Sequence, residues 1–281
     1  MTTNITFFDK KLFDFIRSHL TLRSKQGVDL ARSLDTEDQT MSGLLMLFIE
    51  KILHGKSLQT IVEKDLNDIR IVDKFYKKAK TDNDFLQRNH LNLIQPLFNS
   101  LERRVAECIP FIWILQQNLE NPDTIEDHSK VRDLVCEVAA QHKIEKGNPL
   151  VITALAALYG HEEARKIVKK DAAVVADNAV PLSNAQIEII CLLLLPEIVS
   201  LYSKRVWQEA EEEGEVESIH YQFLIANPVF NDFITSLDVA AYPMESTDGW
   251  ECEYSMGLTT DLFPQIQNDE KEMAALIGKI S

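Results

Sequence analysis

Residues 3–22 read TNITFFDKKLFDFIRSHLTL, and the fold turns on how this stretch is divided. Residues 5–8, ITFF, form a short apolar run of β-branched and aromatic side chains, which suits a buried strand. Asp9 closes that run. Leu12, Phe13, Phe15, Ile16 and Leu20 then recur at the spacing of one helix face. The other division makes residues 3–22 a single amphipathic helix. A second run of the same kind, YQFLI, occupies residues 221–225 and is ended by Asn227-Pro228. Val229, Phe230, Phe233, Ile234 and Leu237 follow it at helical spacing. Two strands that each lead into a helix predict a predominantly α-helical α/β fold. Its small parallel sheet would contain 5–8, 221–225 and one or two further short strands. The alternative is an all-α fold.

The clearest helix signals lie further along the chain. Asn148 is a cap residue, and Pro149 stands at the first helical position, where a missing N–H costs nothing. Leu150, Ala154, Leu155 and Leu158 share one face, and Gly160 suits the left-handed end of that helix. A second helix is expected over 161–169, with Ala164, Ile167 and Val168 inward. Ser183 and Gln186 form a capping box before a third helix, 184–195. That helix is apolar on nearly every side, which marks a buried helix, and it carries Glu188 in its first turn. Other helices are expected over 40–53, across 85–119 with a division near Pro96 or Pro110, and over 129–142. Residues 240–262 read as irregular and acidic: an arm, a lid, or a strand against the core. The organisation expected is one helix-rich domain over 1–281, with 27–145 a helical insertion and 240–281 an irregular acidic C-terminal segment.

The formal charge is -15, and it is unevenly spread. Residues 1–105 carry 17 basic and 14 acidic side chains, whereas residues 201–281 carry 4 and 16. An acidic C-terminal third argues against general attraction to nucleic acid or an anionic membrane through that surface. It leaves room for a local basic site near the N-terminus. Residues 68–80, DIRIVDKFYKKAK, hold the densest basic cluster. Basic residues interleaved with aromatics can grip a single strand of nucleic acid, which makes Lys77, Lys78 and Lys80 candidate contacts. The plainer reading is a solvated helix face with Phe75 and Tyr76 packed beneath it. The four cysteines are widely spaced and form no C-x-x-C pair, which predicts reduced thiols and a cytoplasmic location. No run approaches the ~18 apolar residues of a membrane span, so no membrane partner is expected. The N-terminal residues lack a signal-peptide pattern.

No Walker loop, dinucleotide-binding glycine pattern, nucleophile elbow or zinc helix motif occurs. One constellation remains: Asp9 at the end of the first strand, Asn227 after the second, and Glu188 on the helix between them. Sites in open α/β sheets gather at the carboxyl ends of parallel strands. Hard divalent ions need a few converging oxygens. This arrangement resembles the PIN-like nuclease domains over residues 4–16 and about 146–240. The resemblance implies an acidic site holding Mg²⁺ or Mn²⁺ for phosphodiester cleavage, with Asp9 and Glu188 as ligands. Asn227 stands where the family has a later carboxylate, and Asp232, one helical turn on, is the candidate third ligand. RNA or another single-stranded nucleic acid would be the substrate. The competing reading is a non-catalytic acidic helical protein that docks on a basic protein partner.

Overall fold

A computed structural model describes residues 2–23, 28–54, 56–169, 198–200, 202–203, 218–224, 233, 237, 239–246 and 249–280. Helix predominates among them, around one mixed sheet. The chain divides into two compact units where the sequence reading expects one domain. The first comprises Met1–Glu102 and Glu197–Gly257; the second comprises Arg103–Pro196 and Leu258–Ser281.

The first unit carries the sheet. Residues 2–22 divide as strand and helix: β1 (Thr2–Phe8) runs into α1 (Lys10–Leu22). The remaining strands are β2 (Gln39–Ser42), β3 (Lys80–Thr81), β4 (Ser218–Leu224), β5 (Val239–Ser246) and β6 (Gly249–Met256). Their order is β3-β2-β1-β4-β5-β6. The first four are mutually parallel, with Ile5 opposite Thr40 on one side and Tyr221 on the other. β5 and β6 continue the sheet antiparallel. The two strands expected from sequence are therefore neighbours at the centre of a small parallel sheet. Ile5, Phe7 and Phe8 are fully buried, as a central strand requires. Phe7 stacks on Tyr221 at 5.8 Å and meets the edge of Tyr202 at 5.3 Å.

Between β1 and β4 the unit is largely helical. α2 (Val28–Ser33) precedes β2, and α3 (Leu44–His54) follows it. The helix expected over 40–53 thus starts late, because residues 39–42 pair with β1 as a strand. Gly43 makes the turn between them, where a Cβ would lie 2.6 Å from Ile69 Cδ1. α4 (Leu58–Thr60), a π-turn at Ile61–Asp65 and α5 (Leu66–Ile69) run on from one another. A 3₁₀ turn at Arg70–Lys74 leads to the bend before β3. α6 (Asn83–Arg88) follows β3. The break expected near Pro96 or Pro110 falls just before Pro96, at the π-turn His90–Ile94. α7 (Gln95–Asn118) then begins in this unit and continues through Pro110 as part of the second. Pro110 and Ala106 are both exposed, so the Ala106 carbonyl left without its helical donor meets water.

The second unit is built on α8 (His128–Gln141), α9 (Pro149–Leu158), α10 (Glu162–Val168) and α11 (Glu270–Ile280). α9 is buried at every position. Asn148 caps it by accepting from the Leu150 amide at 2.9 Å, and Gly160 leaves it at φ +97°. Arg132 donates to Glu272 Oε1 at 2.6 Å, and the Tyr159 hydroxyl donates to the same oxygen at 2.5 Å. This ties α8 and the end of α9 to α11. The C-terminal segment expected to be irregular thus forms the β5–β6 hairpin and α11. The hairpin covers the open side of β4, where an unpaired edge would be a liability. Among the described residues no helix is long and apolar enough to cross a membrane.

Candidate functional site

The strand order sets a switch point in the parallel part of the sheet. From β1 the chain moves to β2 and then β3 on one side, and β4 is then added on the other side. The switch point of this parallel sheet therefore lies between the carboxyl ends of β1 and β4, where ligands bind in open α/β sheets. Asp9 stands there. Its amide donates to the Leu224 carbonyl at 3.2 Å, bridging the ends of the two strands. Its carboxylate Oδ1 accepts from the Leu12 amide at 2.8 Å and caps α1. Asp9 is 9% exposed. The helix dipole favours a negative charge at this position. Lys10, adjacent in sequence, is paired with Asp14 at 2.5 Å and lies over the Phe13 ring.

Asp82 occupies the matching position after β3. Its amide donates to the Met41 carbonyl at 3.3 Å. Its Oδ2 accepts from the Tyr202 hydroxyl at 2.6 Å. Oδ1 is shielded from solvent and closes no hydrogen bond with a described residue. Burial pushes the Asp82 carboxyl up to about 6, although the Ser42 and Tyr202 hydroxyls and the Asp82 and Gly43 amides pull the other way. Burial and the Asp82 charge raise Tyr202 well above the usual phenol range. The edge thus holds two buried carboxylates. Neighbouring strands lie ~4.8 Å apart, so Asp9 and Asp82, two strands apart, are separated by ~10 Å along the edge. That is too far to share one ion.

Of the ligands expected from sequence, only Asp9 is described; Glu188, Asp232 and Asn227 lie outside the described residues. Among the described residues no three of His, Cys, Asp and Glu stand together as a metal site. Lys77 and Lys78 lie in the bend before β3 and Lys80 begins it, so they flank the amino end of that strand. Asp9 and Asp82 follow the carboxyl ends. Phe75 and Tyr76 are buried at 1% and 6% exposure, as the plainer reading expects, under a bend rather than a helix. Sequence reasoning missed Asp82. Its signal was a two-residue strand, Lys80-Thr81, hidden behind the basic cluster. Comparison of the chain with protein families, with curated proteins and with solved structures finds no match.

Proposed function

We propose that this protein is a PIN-like, divalent-metal-dependent phosphodiesterase acting on single-stranded nucleic acid at the carboxyl edge of its parallel strands. The observation that supports this reading is the position of Asp9 at the switch point between β1 and β4. Asp9 would hold Mg²⁺ or Mn²⁺ together with Glu188 and Asp232. The ion, when bound, orients a water and stabilises charge on the phosphate. The chain's own contribution is position. The Leu12 amide fixes the rotamer of Asp9, and the Leu224 carbonyl fixes its backbone.

The test is a thermal scan with and without millimolar Mg²⁺ or Mn²⁺, paired with cleavage of an end-labelled RNA single strand. The wild type should melt roughly 2–4 °C higher with the ion, as expected for an ion that binds only the folded state. Asp9→Asn should abolish both that rise and the cleavage while keeping the fold, because asparagine caps a helix as well as aspartate does. Glu188→Gln should do the same. A wild type with no ion-dependent rise and no cleavage overturns the proposal and favours the protein-interaction reading.

A further inference from the structure

The sheet of the first unit ends unequally at its two sides. β3, at one end of the strand order, has two residues and offers almost no edge. β6, at the other end, has eight. It pairs with β5 residue for residue, from Val239 opposite Met256 to Ser246 opposite Gly249, without a bulge, and it contains no proline. Its far side pairs with no described residue. A long, regular edge of this kind presents a row of backbone donors and acceptors that another extended chain can complete. Alternation places Glu251 and Glu253 on the same face of this edge strand. They belong to a wider acidic stretch: residues 206–257 hold 12 acidic side chains and no lysine or arginine.

We infer that the free edge of β6 is a docking site for a basic, extended peptide segment of a partner protein, added to the sheet as a seventh strand. Backbone pairing supplies the affinity, and lysines or arginines at alternate positions stand opposite Glu251 and Glu253. A second copy of this chain fits the edge less well. Two β6 strands related by a two-fold axis pair antiparallel, and the axis sets each residue opposite one from the same face. The registers of greatest overlap then put Glu251 opposite Glu253, or Glu253 opposite itself. Like charges directly opposite destabilise a strand pair, whereas opposite charges stabilise it. The same two glutamates thus discourage self-association and favour a cationic strand. The surrounding acidic stretch steers such a strand toward the edge and repels nucleic acid.

The experiment is fluorescence anisotropy with the full chain and a labelled eight-residue peptide, Thr-Lys-Val-Lys-Val-Lys-Val-Thr, matched in length to β6. The peptide should bind, and more weakly as salt rises from ~50 to ~200 mM. Its counterpart with glutamate in place of lysine should bind at least about tenfold more weakly. The lysine peptide N-methylated at every residue keeps its charge but cannot donate to a ladder, and it should not bind. On binding, alternate amides of residues 250–256 should gain protection in hydrogen exchange, while those of Lys80 and Thr81 in β3 stay unchanged. E251K/E253K should reverse the preference and bind the glutamate peptide more tightly than the lysine one. Asp9→Asn should bind as the wild type does, since the edge requires neither Asp9 nor an ion, so a failed cleavage assay and a failed docking site are told apart. No binding of the lysine peptide, or equal binding of its N-methylated form, overturns the strand site. Protection of the β6 amides that rises with protein concentration, with loss of peptide binding, would show a second copy on the edge and overturn the choice of occupant.

Discussion

At the scale of single residues, Asp82 is where solvation and charge conflict most. Its carboxyl titrates near 3.8 in the unfolded chain and at about 6 in the folded one. The folded state therefore holds the proton more tightly. Below about pH 4 both states are protonated and the group is neutral in its effect. Between those two values the unfolded state ionises first, so stability falls as pH rises, and above about pH 6 the cost is complete. A shift of this size corresponds to roughly 3 kcal/mol. Asp82→Asn keeps an acceptor for the Tyr202 hydroxyl and removes the buried charge. It should raise stability by about 1–2 kcal/mol at pH 8 and by almost nothing at pH 4, read from urea midpoints at the two pH values. A variant that loses stability equally at both values would show that the ionised carboxylate is needed for structure.

At the scale of elements, what the sequence made legible follows from local chemistry, and what it hid follows from distance. The α9–α10 pair was readable because Asn148, Pro149 and Gly160 each act on their own backbone neighbours. β1 and β4 were readable because each holds a short apolar run, although only β1 is buried on both faces and Gln222 of β4 is exposed. β2 and β3 were not. Residues 39–42 gain strand geometry only by pairing with β1, some 35 residues away in sequence, and β3 has only two residues. β5 and β6 were masked by Pro243 and by Glu245, Glu251 and Glu253, which argue against a strand until the partner is known. Of the site, Asp9 was legible because it ends an apolar run, and Asp82 was not because its strand was invisible. The α9 cap offers a direct check on the local part of this argument. Asn148→Ala should cost about 1 kcal/mol or more, since the Leu150 amide loses its acceptor in a buried setting, and Asn148→Ser should recover most of it. Equal losses for alanine and serine would place the role of Asn148 in packing rather than in the cap.

At the scale of the whole molecule, the two units alternate along the chain. Met1–Glu102 waits for Glu197–Gly257 to supply β4, and Arg103–Pro196 waits for Leu258–Ser281 to supply α11. β1 and β4 pair over more than 200 residues of sequence, so the sheet has a high contact order, and non-local parallel pairing is slow to form. Neither unit can be cut out as one continuous segment. Ending the chain after Gly257 makes the strongest test, because it removes α11 and leaves every strand of the sheet in place. Arg132 and Tyr159 would then lose Glu272, a buried guanidinium and a buried phenol left without their shared acceptor. Arg132 keeps Asp133 at 3.0 Å, so the loss is that of two hydrogen bonds to a charged acceptor, ~1.5–3 kcal/mol each, and the apolar surface that α11 covers through Leu276 and Ile280 is lost as well. The shortened chain should therefore lose amide protection across α8 and α9 in hydrogen exchange. The amides of β1 and β4 should stay protected, because their partners lie on each other and on β2. Loss of protection in α9 and β1 together would show that the two units unfold as one, and full protection in α9 would show that the Arg132–Glu272–Tyr159 network does not hold the second unit together.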